Sequence, residues 1–103
     1  MTSLESFLKL IPEETELLSA YQQSPSDLYL TYSSEDFFKI IEFFSADQIL
    51  FRFSEIKPNN ILTVHLIFYN LPEKINVTFE LTDHDERVIN ELKTKFPACE
   101  AIL

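Results

Sequence analysis

The alternation of apolar and polar residues in "INVTFEL", at positions 75 to 81, constrains the fold more than any other feature of the chain. Successive side chains of a β-strand point to opposite faces, so this segment predicts a strand with one apolar and one polar face. "ILTVHLIFY" at 61 to 69 predicts a longer strand, and "QILFRF" at 48 to 53 a third. The predicted inner face of the first strand holds Ile75, Val77, Phe79 and Leu81. That of the second holds Leu62, Val64, Leu66 and Phe68, and that of the third holds Ile49, Phe51 and Phe53.

The connections between these three strands are short. "KPNN" at 57 to 60 and "NLPEK" at 70 to 74 have the composition of turns, which predicts an antiparallel meander. "LYLTY" at 28 to 32 predicts a further strand, joined to the meander by a helix over residues 35 to 45 that Ser33 or Ser34 caps.

The two ends of the chain have helical patterns. Apolar residues recur at helical spacing from position 4 to 11, and "PEETELLSAYQQ" places proline and acids where a second helix would start, so residues 1–23 are predicted to be helical. "DHDERVINELKTKF" at 83 to 96 has acids in its first turn and lysines in its last, which predicts a C-terminal helix. The predicted order is ααβαβββα: one α+β domain of 103 residues, a two-layer sandwich with helices on a mostly antiparallel sheet of about four strands.

The helix that contains "DFFKIIEFF", at positions 36 to 44, carries more apolar surface than one sheet can cover. Phe38 and Phe43 flank its buried stripe, so either other helices of the chain, a partner protein or a second copy must cover them. The sheet face opposite the core is also predicted to be unusually apolar, since it holds Tyr29, Leu50, Ile67 and Tyr69. These six residues form the predicted protein-binding surface.

The composition excludes several functions. The chain has no glycine, so phosphate-cradling loops are excluded. A net charge of -9 argues against binding nucleic acid or an anionic membrane through a basic patch. A single cysteine predicts a reducing, cytoplasmic location, and the absence of a long apolar run predicts no membrane insertion.

No residue pattern predicts catalysis, a metal site or a cofactor site. His65 has no companion ligand or base at a useful spacing, and the acids of "DHDE" at 83 to 86 are those expected at a helix start. Cys99 stands beside Glu100, which would raise the pKa of the thiol and not activate it. The sequence therefore predicts a protein that is not an enzyme and needs no cofactor.

From Leu28 to Glu100 the order of elements resembles the peripheral-arm scaffold subunit of respiratory NADH:quinone oxidoreductase (complex I) and the matching domain of membrane-bound hydrogenases. The segments that carry the resemblance are "TVHLIFYNL", "KINVTFEL" and "VINELKTKFPACE", with Phe96-Pro97-Ala98 standing for the family's Phe-Pro-x-Ala. The family's following E-R-E-x-x-D-L-F-G signature does not occur in this sequence. The resemblance implies a truncated, non-catalytic scaffold protein without a redox centre.

Two functions follow as hypotheses. The first is a protein–protein interaction or scaffold subunit that binds a protein partner, or itself as a homodimer, through the six residues named above. The alternative is a small acidic inhibitor or immunity-type protein, whose carboxylates at 13 to 16, 42 and 83 to 86 block a basic site on a toxin or nuclease.

Overall fold

The computed structural model describes residues 3–44, 46–69 and 74–98. These residues form a five-stranded sheet in the order β1-β2-β5-β4-β3, together with three α-helices and one short 3-10 helix. The strands are β1 Ser19–Ser24, β2 Asp27–Thr31, β3 Ile49–Ile56, β4 Leu62–Phe68 and β5 Ile75–Leu81. The helices are α1 Ser3–Leu8, α2 Ser34–Phe43 and α3 Glu86–Lys95, and the 3-10 helix is Ala46–Gln48.

The predicted α+β class is confirmed, but the sheet is mixed. The β3–β4 and β4–β5 pairs form the predicted antiparallel meander, and β1 is antiparallel to β2. The strand β2 instead joins the meander by parallel pairing with β5, from Asp27 opposite Asn76 to Thr31 opposite Glu80. A parallel pair requires a long crossover, which α2 and the meander supply here.

The prediction of a second N-terminal helix is wrong. Helix α1 ends at Leu8, and residues Ser19–Ser24 of the predicted helical segment form the edge strand β1. The proline and glutamates at 12 to 14 have the composition of a helix start, but the following segment pairs with β2, where Tyr21 lies opposite Tyr29. Tertiary pairing overrides a weak local preference in this segment, which accounts for the fifth strand.

The inner faces predicted for β4 and β5 are confirmed, since all eight side chains belong to the buried core. The inner face predicted for β3 is wrong at Phe53. A bulge between Phe51 and Phe53 shifts the register, so that Phe51 lies opposite Leu66 while Phe53 lies opposite His65. The extra residue of a bulge reverses the face of the side chains beyond it, and Phe53 therefore lies on the opposite face of the sheet from Phe51.

All three helices pack on one face of the sheet, here called the inner face. The Phe7 ring of α1 meets the Phe68 ring at 5.0 Å between centroids, and the Phe37 ring of α2 meets Phe79 at 5.0 Å. Phe96, which caps the end of α3, stacks on Phe51 at 5.3 Å. Edge-to-face and stacked aromatic pairs of this kind add to the free energy gained by apolar burial.

Helix α2 begins where the sequence predicts. The Ser33 hydroxyl is the cap and accepts a hydrogen bond from the Asp36 amide at 3.2 Å. The next residue, Ser34, donates to the Asp83 carboxylate from its amide, at 3.0 Å, and from its hydroxyl, at 2.8 Å. Since Asp83 precedes α3 by three residues, this contact holds the N-terminal ends of α2 and α3 together.

The β3–β4 turn is built without glycine. Asn60 has a φ of 64°, in the left-handed region, and its amide donates to the Lys57 carbonyl at 2.8 Å. Asparagine tolerates this conformation better than other residues with a side chain, so it takes the place that glycine usually fills. The predicted "KPNN" turn is confirmed, whereas residues 70 to 73 of the second predicted turn and Cys99 lie outside the described residues.

The longest described helices, α2 and α3, have ten residues each. No helix in the described part of the chain has the length and apolarity needed to cross a bilayer.

Two phenylalanines of α2 provide a test of this packing. Phe37 is fully buried, whereas Phe43 is 54% exposed. We expect Phe37→Ala to lower the free energy of unfolding by about 3–5 kcal/mol, because it leaves a cavity against Phe79. The matched control Phe43→Ala, in the same helix, should cost less than about 1 kcal/mol. Urea unfolding of both variants measures the difference, and equal losses would contradict the described orientation of α2.

Candidate functional site

A row of five side chains crosses the whole sheet on the face opposite the helices, here called the outer face. In the strand register each residue of the row lies opposite the next, from one edge of the sheet to the other. The row, here called the outer row, consists of Tyr21, Tyr29, Thr78, His65 and Phe53. Three of the five are tyrosine or phenylalanine, so the row places flat apolar rings on a face where antiparallel sheets usually present polar residues.

The outer row is held together by contacts between its members. The rings of Tyr21 and Tyr29 lie 5.9 Å apart, and those of Phe53 and His65 stack at 3.9 Å with an interplanar angle of 17°. The Thr78 hydroxyl lies 2.9 Å from Nδ1 of His65 and forms a hydrogen bond with it. These contacts hold the rings of the row in defined orientations.

His65 lies near the centre of this face. Burial lowers the pKa of its imidazole, and the nearby Glu55 carboxylate only partly opposes this effect. Nε2 is buried and has no hydrogen-bond partner among the described residues. Desolvation disfavours the charged imidazolium, so His65 is neutral at pH 7 and behaves as part of an apolar surface.

A second row runs beside the outer row. Its β3 and β4 members, Leu50 and Ile67, lie opposite each other and are apolar. Its β5 and β2 members, Asn76 and Asp27, are polar, and the Asn76 side-chain amide donates to the Asp27 carboxylate at 3.0 Å. The outer face is therefore apolar toward β3 and acidic toward β2.

The described helices leave the outer face open, since their ring contacts and buried side chains lie on the inner face. Tyr21 is 61% exposed and Leu50 is 53% exposed, at opposite edges of the sheet. Between these two edges the side chains are partly shielded: Tyr29, Phe53 and His65 are half-buried, and Thr78 is buried. Apolar side chains grouped on a face that no helix covers make this face a candidate for binding another molecule.

The six residues predicted to bind protein lie in three places. Tyr29, Leu50 and Ile67 share the outer face, and Tyr69 is half-buried just beyond the end of β4, where its amide donates to the Gln48 carbonyl. Phe43 is exposed on the helical side, against Phe44.

Phe38 is covered by other parts of the same chain, which is one of the alternatives that the sequence leaves open. Its side chain is only 7% exposed, because its ring packs edge-on against Phe37 while α3 flanks it. The structure therefore favours another helix of the chain as the cover of this ring, since Phe38 shares a groove with Val88 and Glu91 of α3.

Two members of the outer row, Tyr21 and Phe53, escape prediction from the sequence. The local pattern places Tyr21 in a helix and Phe53 on the inner face, because neither the β1 pairing nor the β3 bulge has a local signature. For Phe53 the sequence offers only the alternation of apolar and polar residues, in which Arg52 and Ser54 are its polar neighbours. One extra residue in the strand reverses the face to which this alternation assigns Phe53.

A groove of about 570 Å³ separates α2 from α3 on the other side of the molecule. The two helices run in parallel, since Ser34 contacts Asp83 at one end and Lys95 forms an ion pair of 2.8 Å with Glu42 at the other. Five carboxylates and two cationic groups line the groove: Glu35, Glu42, Asp83, Asp85 and Glu91, with Lys39 and Arg87. It is therefore an acidic groove.

The buried phenol of Tyr32 offers no activated nucleophile. Burial raises the pKa of Tyr32 to about 12, and the nearby Thr15 side chain only partly opposes this effect. Thr15 itself donates to the Pro12 carbonyl at 2.7 Å. The phenol therefore stays protonated at neutral pH.

Within the described ranges, no three His, Cys, Asp or Glu side chains are arranged to hold a metal ion. Comparison with protein-family models, with curated proteins and with solved structures finds no match for this chain. The outer face and the acidic groove are therefore interpreted from their own geometry and charge.

The half-buried imidazole of His65 predicts a pH dependence of stability. Because its pKa is lowered in the folded state, the unfolded chain binds a proton at higher pH, so the free energy of unfolding should fall as the pH drops below about 6.5. We expect His65→Gln to reduce this fall between about pH 6.5 and 5. The control variant His84→Gln retains His65, so the part of the fall in the free energy of unfolding that His65 causes should remain. Urea unfolding at several pH values measures the slopes, and identical slopes for wild type and His65→Gln would contradict the prediction.

Proposed function

We propose that this protein is a non-catalytic interaction module that binds a partner protein through the outer face of its sheet. The observation that carries the proposal is the outer row, a preorganised line of aromatic side chains that the described helices leave open. Tyrosine and phenylalanine are enriched in protein interfaces because they bury a large area at a small cost in side-chain entropy.

The resemblance to the complex I and hydrogenase scaffold proteins supports the same role. A scaffold of this kind supplies surfaces and no redox chemistry, and the open outer face of the sheet supplies such a surface. A cytoplasmic location fits this proposal because the sequence contains a single cysteine.

A second candidate function rests on the acidic groove. The groove brings Glu42, Asp83 and Asp85, from two separate segments of the chain, together with Glu35 and Glu91. Their combined negative potential suits an inhibitor or immunity-type protein that blocks a basic site on a toxin or nuclease.

The first function is tested by capture of partners from the native host on tagged protein, with washes at low and high salt. An apolar interface should withstand high salt, because screening weakens charge–charge attraction and leaves apolar burial intact. We expect the wild type and Phe43→Ser to retain the same partner, and the double variant Tyr21→Ser, Leu50→Ser to lose it. The three substituted side chains have similar exposure, so Phe43→Ser is a matched control.

Retained iron–sulfur or hydrogenase subunits would favour the scaffold assignment. Loss of the partner from Phe43→Ser, with retention by the Tyr21→Ser, Leu50→Ser variant, would instead move the interface to the helical side and contradict the proposal.

The second function predicts binding that depends on salt. The double variant Glu35→Gln, Glu91→Gln removes two charges from the groove, and we expect it to lower the association rate of a basic partner about tenfold or more at low salt. The control Glu13→Gln, Glu14→Gln removes the same charge elsewhere and should have a smaller effect. Surface plasmon resonance at several salt concentrations gives both rates. Equal effects of the two variants would exclude the groove as the contact.

A further inference from the structure

The outer face has the dimensions of a single helix. Strands about 4.8 Å apart give the outer row a length of about 19 Å. The rows on its two sides pass through Asn76 and Glu80, four residue steps or about 13 Å apart along β5. The resulting area, about 250 Å² from these two lengths, is about a third of the roughly 800 Å² that each partner contributes to a standard interface. An α-helix about 10 Å wide and about 13–16 residues long has this footprint.

Two carboxylates stand on opposite sides of the outer row. Asp27 belongs to the row that contains Asn76, and Glu80 lies four residues further along β5, opposite Thr31 and Thr63. The two positions are therefore separated by about 13 Å along the strands, slightly more than the width of a helix.

Neither charge is neutralised by the rest of the described structure. The Asp27 carboxylate accepts hydrogen bonds only from neutral groups, the Asn76 amide and the Ser24 hydroxyl. The Glu80 carboxylate has no hydrogen bond or ion pair with any described residue, and only the backbone carbonyl of Glu80 accepts from the Tyr32 amide. Glu55, on the same face, is already paired with Lys57 at 3.0 Å.

We propose that the occupant of the outer face is an amphipathic helix of a partner protein, with an apolar stripe on the outer row and Lys or Arg side chains on both flanks. The apolar stripe would cover the rings of Tyr29 and Phe53, and the basic flanks would reach Asp27 on one side and Glu80 on the other. Long basic side chains suit this geometry because their apolar stems extend along the face while the charged ends reach the carboxylates.

The basic flanks belong over β2 and β5, not over β3. At the β3 end, the Arg52 guanidinium lies 5.9 Å from the centre of the Phe53 ring, so this end of the row already carries a positive charge. The partner helix should therefore present apolar or acidic residues there. This asymmetry sets the direction in which a helix lies on the row.

A second copy of this chain fits the face less well. In a symmetric face-to-face dimer both copies would contribute Asp27 and Glu80 to the same small interface, where like charges repel. The net charge of -9 on each chain adds to that repulsion. A basic helix gains from the same charges, so charge complementarity favours it over a homodimer.

This inference depends on the proposed function, and synthetic peptides test it separately. The probe is a helical peptide of about 16 residues, matched to the length of the outer row, with leucine along one face and lysine on both flanks. A second peptide replaces lysine with glutamate, and a third reorders the leucines and lysines so that no apolar face forms. Two-dimensional amide NMR of the full chain measures binding and locates it. We expect only the first peptide to shift the amides of the outer row and its flanks.

The variant Glu80→Gln removes one of the two carboxylates beside the outer row, and Glu91→Gln, in the acidic groove, is its matched control. We expect Glu80→Gln to weaken binding of the lysine peptide about fivefold, in line with the loss of one interfacial charge pair, and Glu91→Gln to leave it unchanged. Equal effects of the two variants, or amide shifts confined to α2 and α3, would overturn the inference.

Failure of the peptide can be distinguished from failure of the proposed function. If no peptide binds, but native partners are still lost on the Tyr21→Ser, Leu50→Ser change, the outer face is an interface and its occupant is not a basic helix. If the lysine peptide binds the outer row as described, the inference is supported independently of the native partner.

Discussion

The parallel pairing of β2 with β5 holds the two halves of this molecule together. It aligns residues that are 49 positions apart, from Asp27 opposite Asn76 to Thr31 opposite Glu80. The same offset continues beyond the strands, since Ser34 at the start of α2 bonds to Asp83 before α3. One continuous alignment therefore sets both the order of the sheet and the placement of α2 beside α3.

This alignment explains why the outer row lies where it does. With α2 and α3 held in parallel on the inner face, and α1 packed there through Phe7, the three described helices share one side of the sheet. The opposite side keeps its own apolar side chains, which line up because each strand pairs in register with the next. The outer row is thus a consequence of topology as much as of composition.

The local sequence pattern predicts only those parts of this structure that residue type and spacing determine. Alternation identifies the inner faces of β4 and β5, and the Ser33 cap and the Asn60 turn follow from residue type. The parallel pairing could not be predicted, because hydrogen bonds between distant segments leave no periodic signal. The strand β1 escapes prediction for the same reason, since its conformation depends on pairing with β2.

The candidate site could be predicted only in part. Alternation alone assigns Tyr29, Leu50 and Ile67 to the outer face, but the β3 bulge that adds Phe53 is invisible in the sequence. The width of a helix's apolar surface does not say which other elements cover it, so the sequence alone could not choose between another helix, a partner and a second copy as the cover of Phe38. Its cover comes from α3, which the Asp83 contact positions from 49 residues away.

The alignment of β2 with β5 also has a consequence for the order in which the chain folds. Closing a loop of this length costs about 2 kcal/mol of chain entropy more than closing a turn of about five residues, and that cost precedes the gain from pairing. The hairpin of β3 and β4 and its extension to β5 need only local turns. We therefore expect the meander to form early and to present the free edge of β5 as a template, on which the β1–β2 hairpin docks later in folding.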